Sequence, residues 1–105
     1  MIQKKLVDMQ VRLDNIRNTV LETAWKFDHG MDVRIECATA KYYCMRASHD
    51  VCDDAMGIFG GIGYTLDSKV GRAWVGSRGG CIAGGTEEIM IHIAGRQILK
   101  KYARK

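Results

Sequence analysis

The sequence predicts an all-α fold, an up-and-down helical bundle. Three observations carry this: none of the 105 residues is Pro, two long stretches repeat apolar residues at alternating three- and four-residue steps, and glycine follows each of those stretches. Pro breaks helix interiors because it lacks a backbone donor, so its absence favours long helices over a turn-rich β architecture. A chain this short buries one modest core and cannot hold separate cofactor and substrate domains. Residues 1–105 therefore read as one helical unit.

The first helix is expected from about Ile2 to Asp28, where Leu6, Met9, Leu13, Ile16, Val20, Ala24 and Phe27 lay one apolar stripe. Gly30 supplies its stop, because glycine tolerates the left-handed conformation that closes a helix. Asp32 is the candidate N-cap of a second helix whose stripe runs Ile35, Ala38, Tyr42, Met45, His49, Cys52, Met56 and Phe59. On that stripe His49 reads as a satisfied core histidine rather than a ligand. The Gly60-Gly61-Ile62-Gly63 cluster ends the helix.

Asp67 or Ser68 can cap a short third helix through Val70, Ala73 and Trp74, cut off by Gly76 and Gly79-Gly80. Thr86 then caps the last helix, with Glu87 and Glu88 in its first turn and Ile89, Ile93, Ala94 and Ile98 behind them. Lys100, Lys101 and Arg104 suit its C-terminal end.

Composition narrows the function classes. The formal charge of +4 comes from 16 basic and 12 acidic residues, and Lys4-Lys5, Lys100-Lys101 and Arg104-Lys105 at the ends supply much of it. No basic stripe interleaved with aromatic residues appears mid-chain, so a nucleic-acid partner is not expected. Cys37, Cys44, Cys52 and Cys81 form no Cys-x-x-Cys pair and read as small core residues of a reducing compartment. His29, His49 and His92 lack the spacing of a helical zinc site, and no metal is expected. The longest uncharged run, Ala55 to Leu66, is too short to span a bilayer, and the N-terminal residues lack an apolar signal core. A soluble, cytoplasmic protein is the expectation.

Two glycine clusters remain as candidates for function: Gly57-Ile58-Phe59-Gly60-Gly61-Ile62-Gly63-Tyr64 and Gly84-Gly85-Thr86. Neither is a dinucleotide-binding fingerprint, since no strand precedes it and the spacing differs. On one reading both are helix terminators. On the other, backbone without side chains lets a ligand approach, and helix N-terminal amides with the Thr86 hydroxyl favour an anionic or carbonyl-rich group such as a pyrophosphate or a flavin ring.

Several segments in consistent order resemble the C-terminal domain of the acyl-CoA dehydrogenases. They are Lys5-Leu6-Val7-Asp8-Met9, Ala38-Thr39-Ala40-Lys41, Asp54 to Tyr64 with its glycine run, Arg72 and Arg78, Gly84 to Met90, and Arg96 in the tail. The likeness is nearest to long-chain-type members with glycine at the usual catalytic-glutamate position. It implies a helical bundle, here without its first helix, that covers FAD and builds the oligomer core of an enzyme performing α,β-dehydrogenation of acyl-CoA thioesters. Gly60 and Gly61 would approach the FAD of a neighbouring subunit, and Thr86 and Glu88 would lie by the flavin at the start of the last helix.

The departures are informative. The usual glutamate position is Gly84, which cannot take a proton, so no catalytic residue is assigned, and Glu87 and Glu88 read first as helix-capping carboxylates. The resemblance places the base of such members on an earlier helix of the same domain, which this sequence does not include. Gly57 stands for an expected glutamine, Lys69 for a proline, Val75 for an arginine and Gly76 for an aspartate. Two readings follow. The chain is a fragment or split subunit of an FAD-dependent dehydrogenase, acting with the missing domains as a homo-oligomer and inactive alone. Alternatively, it is a catalytically inert helical oligomerisation or interaction module derived from that family.

Overall fold

Every other element packs on one helix, α2, in the computed structural model, which describes residues 1–103. Arg104 and Lys105, expected near the end of the last helix, lie outside the described residues. The elements are α1 (Ile2–Asp28), α2 (Arg34–Phe59), a 3₁₀ turn (Gly60–Tyr64), α3 (Lys69–Gly80) and α4 (Glu87–Tyr102). The expected all-α, up-and-down arrangement is what forms, and among the described residues no strand appears.

α1 and α2 run antiparallel along their whole length. Arg12 Nη1 meets Asp54 Oδ2 at 2.9 Å near one end, and Lys26 Nζ meets Glu36 Oε2 at 3.3 Å near the other. α3 and α4 follow one another along the rest of α2, without packing on each other. Trp74 Nε1 donates to Asp53 Oδ1 at 3.0 Å and Ser77 Oγ bonds His49 Nδ1 at 2.9 Å, while Arg46 faces Glu87 farther back along α2. Ile35 of α2 and Gln97 of α4 line one cleft at the far end. The chain thus forms three columns, the third built from two helices in series.

The shape is open. Its extents are 54 × 25 × 25 Å and its radius of gyration is 16.3 Å, against about 13 Å for a compact chain of this length. The fully buried apolar residues are small: Ala38, Cys44, Ala47, Cys81 and Ala94. Small side chains let helix axes approach but bury little area, so this core is thin.

The α1 stripe lies mostly outside the seam with α2. Leu6, Leu13, Val20, Ala24 and Phe27 are exposed, and only Met9 and Ile16 of that set turn partly into the seam. α1 lays a mixed face on α2, in which Lys5, Arg12, Thr19, Thr23 and Lys26 alternate with those two. Val7, Val11, Leu21 and Trp25 form a second exposed apolar face. Periodicity identified an apolar face correctly; the face that meets α2 is held instead by ion pairs and aliphatic stems.

Smaller corrections concern caps and glycines. Val33, not Asp32, is the N-cap of α2. Asp32 still accepts from Arg34 N at 3.1 Å, and its grip on the Arg34 guanidinium draws its carboxyl down to about 2. Ser68, of the two candidates, caps α3 by accepting from Gly71 N at 3.0 Å. Gly76 does not end α3; it lies inside it. Cys44 and Cys81 are buried as expected, but Cys37 is exposed, and all four thiols are free. Burial pushes the Cys44 thiol up. His49 is buried and bonded to Ser77, as a core histidine should be.

Two glycines of α3 give opposite expectations. A methyl group on Gly71 would collide with the Thr65 carbonyl, whereas one on Gly76 would meet nothing within 4 Å. Gly76→Ala is expected to stabilise the fold by about 0.5–1 kcal/mol through helix propensity, and Gly71→Ala to destabilise it by more than that. Denaturant unfolding followed by circular dichroism measures both; equal effects would refute the close approach at Gly71.

Candidate functional site

The first glycine cluster sits at the C-terminal end of α2. Gly60 closes the helix with φ +71° and donates its N–H to Met56 O. Only glycine adopts that conformation without strain. Beyond it the chain coils into the 3₁₀ turn, fixed by Thr65 Oγ1 donating to Ile62 O at 2.8 Å and Arg72 Nη1 donating to Leu66 O at 2.8 Å. Gly63 is buried, and a side chain there would press Met56 O and Phe59 Cβ at 3.0 Å. Gly61 differs from both. It has no positive φ and a Cβ there would meet nothing within 4 Å, so nothing within this chain requires glycine at that position. Phe59, Ile62 and Tyr64 stand exposed around it.

The second cluster joins α3 to α4. Gly84 and Gly85 take φ +71° and +118°, turning the chain so that Thr86 opens α4. Thr86 Oγ1 accepts from Ile89 N at 3.3 Å, which satisfies one orphan donor of the helix start. Its hydroxyl hydrogen is left to donate elsewhere. Glu87 is held between Arg46 Nη1 and Arg78 Nη1, each at 3.7 Å, while Glu88 is exposed and forms no ion pair among the described residues. Two guanidiniums tie the Glu87 carboxylate to the α2–α3 junction. That is a structural task rather than proton transfer.

The structure keeps the clusters apart. Arg46, beside the α4 start, is fourteen residues before Gly60 on α2, which at 1.5 Å per residue is about 20 Å of helix. Gly60 and Gly61 therefore cannot share with Thr86 and Glu88 a contact on one small group of a ligand. An extended ligand, or two ligands, would be needed.

Lys41 is the residue that sequence reasoning passed over. The expected stripe named Tyr42, which is exposed, whereas Lys41 turns inward and its Nζ donates to Gly80 O at 2.8 Å and Gly85 O at 3.1 Å. The signal was present: Ala38, Lys41, Met45 and His49 continue the same three- and four-residue spacing, with a lysine among inward residues.

Fold and turns together define an all-α domain in which Gly60, Gly61 and Gly84 are exposed. The acyl-CoA dehydrogenase C-terminal domain model matches residues 1–99, and this chain belongs to that family. It is 50% identical over 105 residues to the probable acyl-CoA dehydrogenase YdiO of Escherichia coli K12, covering 100% of this chain and 27% of that protein. The acyl-CoA dehydrogenase structure from Slackia heliotrinireducens superposes with a TM-score of 0.92 at 41% identity, over 98% of this chain and 28% of that one. The FAD complex of PigA superposes with a TM-score of 0.86 at 25% identity, over 92% of this chain and 25% of that one. The chain thus spans about a quarter of the length of these relatives.

Thr86→Val removes the capping oxygen and is expected to cost about 1 kcal/mol of stability, with Thr86→Ser close to neutral. Chemical denaturation of the two variants checks this; an unperturbed valine variant would mean the cap contributes nothing.

Proposed function

We propose that this chain serves as the C-terminal helical domain of an FAD-dependent acyl-CoA dehydrogenase of cytoplasmic fatty acid metabolism. The observation that carries the reading is the exposed turn at Gly60-Gly61. Gly61 lacks a side chain for no reason internal to this chain, and the space where that side chain would stand is open. Backbone of that kind suits the close approach of a nucleotide. We place Gly60 and Gly61 against the FAD held by a neighbouring copy, and Thr86 and Glu88 beside the flavin at the start of α4. The separation of the clusters along α2 fits that division between copies.

FAD, when bound, would accept the hydride lost from the β-carbon of the acyl-CoA thioester. The chain's own contribution is positional: Thr86 offers a hydroxyl hydrogen, the first amides of α4 offer a positive dipole end, and Gly61 leaves open space beside its backbone. The α-proton needs a base, and we assign that role to no described residue. Gly84 has no side chain, and Glu87 is engaged by two arginines. We assign the base, the acyl pocket and catalysis to further parts of a complete enzyme.

The apolar faces of α1 supply the case for association. Leu21, Trp25 and Phe27 are all more than half exposed, and Val20, Phe27, Cys37 and Ala40 line an apolar groove between α1 and α2. Contiguous apolar surface on this scale marks an interface. A catalytically inert interaction module would use the same faces, so flavin separates the two readings.

In gel filtration the chain alone is expected to elute as an oligomer with little bound FAD; a monodisperse monomer would count against association through α1. A chimera in which this chain replaces the matching segment of the 50%-identical E. coli relative is expected to retain FAD. There Gly61→Leu should block retention, and Thr86→Val should weaken it about 3- to 10-fold, the worth of one hydrogen bond. Flavin content and titrated affinity decide. A folded chimera that holds no flavin would favour the inert module.

A further inference from the structure

We propose that Lys41 is the positioning residue of the flavin-facing turn: its single ammonium clamps both ends of the Gly80–Gly85 loop and so fixes where Thr86 stands. The inference rests on the placement of Thr86 beside the flavin under the reading above.

The geometry is specific. Lys41 Nζ reaches Gly80 O at 2.8 Å, a carbonyl in the last turn of α3, and Gly85 O at 3.1 Å, one residue before the N-cap of α4. The last carbonyls of a helix lack intrahelical partners and carry the negative end of its dipole, which an ammonium complements. Between the two anchors the chain passes through Gly84 at φ +71° and Gly85 at φ +118°. Consecutive glycines in that region of backbone space have the most conformational freedom to lose, so a turn built from them needs an external tie to hold one geometry.

Few other ties are available. Among the described residues, Lys41 makes the only side-chain hydrogen bonds from another element to the backbone of residues 80–86. α3 and α4 do not pack on each other, so their relative placement runs through α2. Arg46, one turn farther along α2, and Arg78 of α3 hold Glu87 at 3.7 Å, which fixes the first turn of α4 from its other side. Lys41 is half-buried, and its two hydrogen bonds are charge-assisted, the stronger kind.

An arginine retains donors and charge at position 41, whereas a methionine retains the aliphatic stem and loses both. The test uses the chimera described above, first stripped of FAD and then reloaded. In the flavin-free protein, Lys41→Met is expected to speed amide hydrogen exchange across Gly84 to Met90 at least 10-fold while the α1 amides stay unchanged. On reloading, it should weaken FAD affinity about 10-fold and alter the visible circular dichroism band of the bound flavin. Lys41→Arg should recover most of each effect. Unchanged exchange in the turn would overturn the clamp. Faster exchange with unchanged flavin affinity and spectrum would leave the clamp standing and overturn the placement of Thr86 at the flavin. Should Lys41→Met fail to fold, Lys41→Gln against Lys41→Arg gives the same comparison, and equal exchange and affinity in those two variants would overturn the need for an ammonium.

Discussion

One constraint organises the structure: α2 must serve as the packing surface for every other element at once. A helix surrounded in this way cannot carry large side chains on each face without pushing its neighbours away. The buried residues of α2 are accordingly Ala38, Cys44, Ala47 and His49. Little apolar area is buried by such residues, so polar ties carry an unusual share of the specificity. Arg12 to Asp54, Lys26 to Glu36, His49 to Ser77 and Lys41 to two carbonyls each join α2 to a different place.

The length of α2 also decides what the glycine turns can do. One turn terminates the helix, and the other lies beside its first half, because α3 and α4 return along it in series. Two clusters that look equivalent in the sequence therefore stand about 20 Å apart along α2.

Glycines mark the difference between local and external causes. Gly60, Gly84 and Gly85 are explained by positive φ, and Gly63 and Gly71 by the close approach of neighbouring backbone. Gly61 has neither cause within the chain. On α1, Trp25 and Phe27 stay more than half exposed, although Trp25 stacks on the His29 ring. The fold thus combines a small core with many apolar residues outside it.

The boundaries of α1, the stop at Gly60, the cap at Thr86 and, to within Asp67 or Ser68, the cap of α3 were legible in the sequence. Each depends on residues within a few positions of one another, where capping chemistry and backbone sterics act. The face of α1 that meets α2 was not legible, because two apolar faces competed and a polar one, stitched by ion pairs between distant residues, lies in the seam. The inward turn of Lys41 was hidden for a related reason. Its partners are backbone carbonyls 39 and 44 residues away, which carry no side-chain signature. Local chemistry thus determined the elements and their ends. Only the tertiary structure decided which faces meet, how far apart the glycine turns lie and which lysine holds one of them in place, because those depend on contacts that exist only once α3 and α4 have returned along α2.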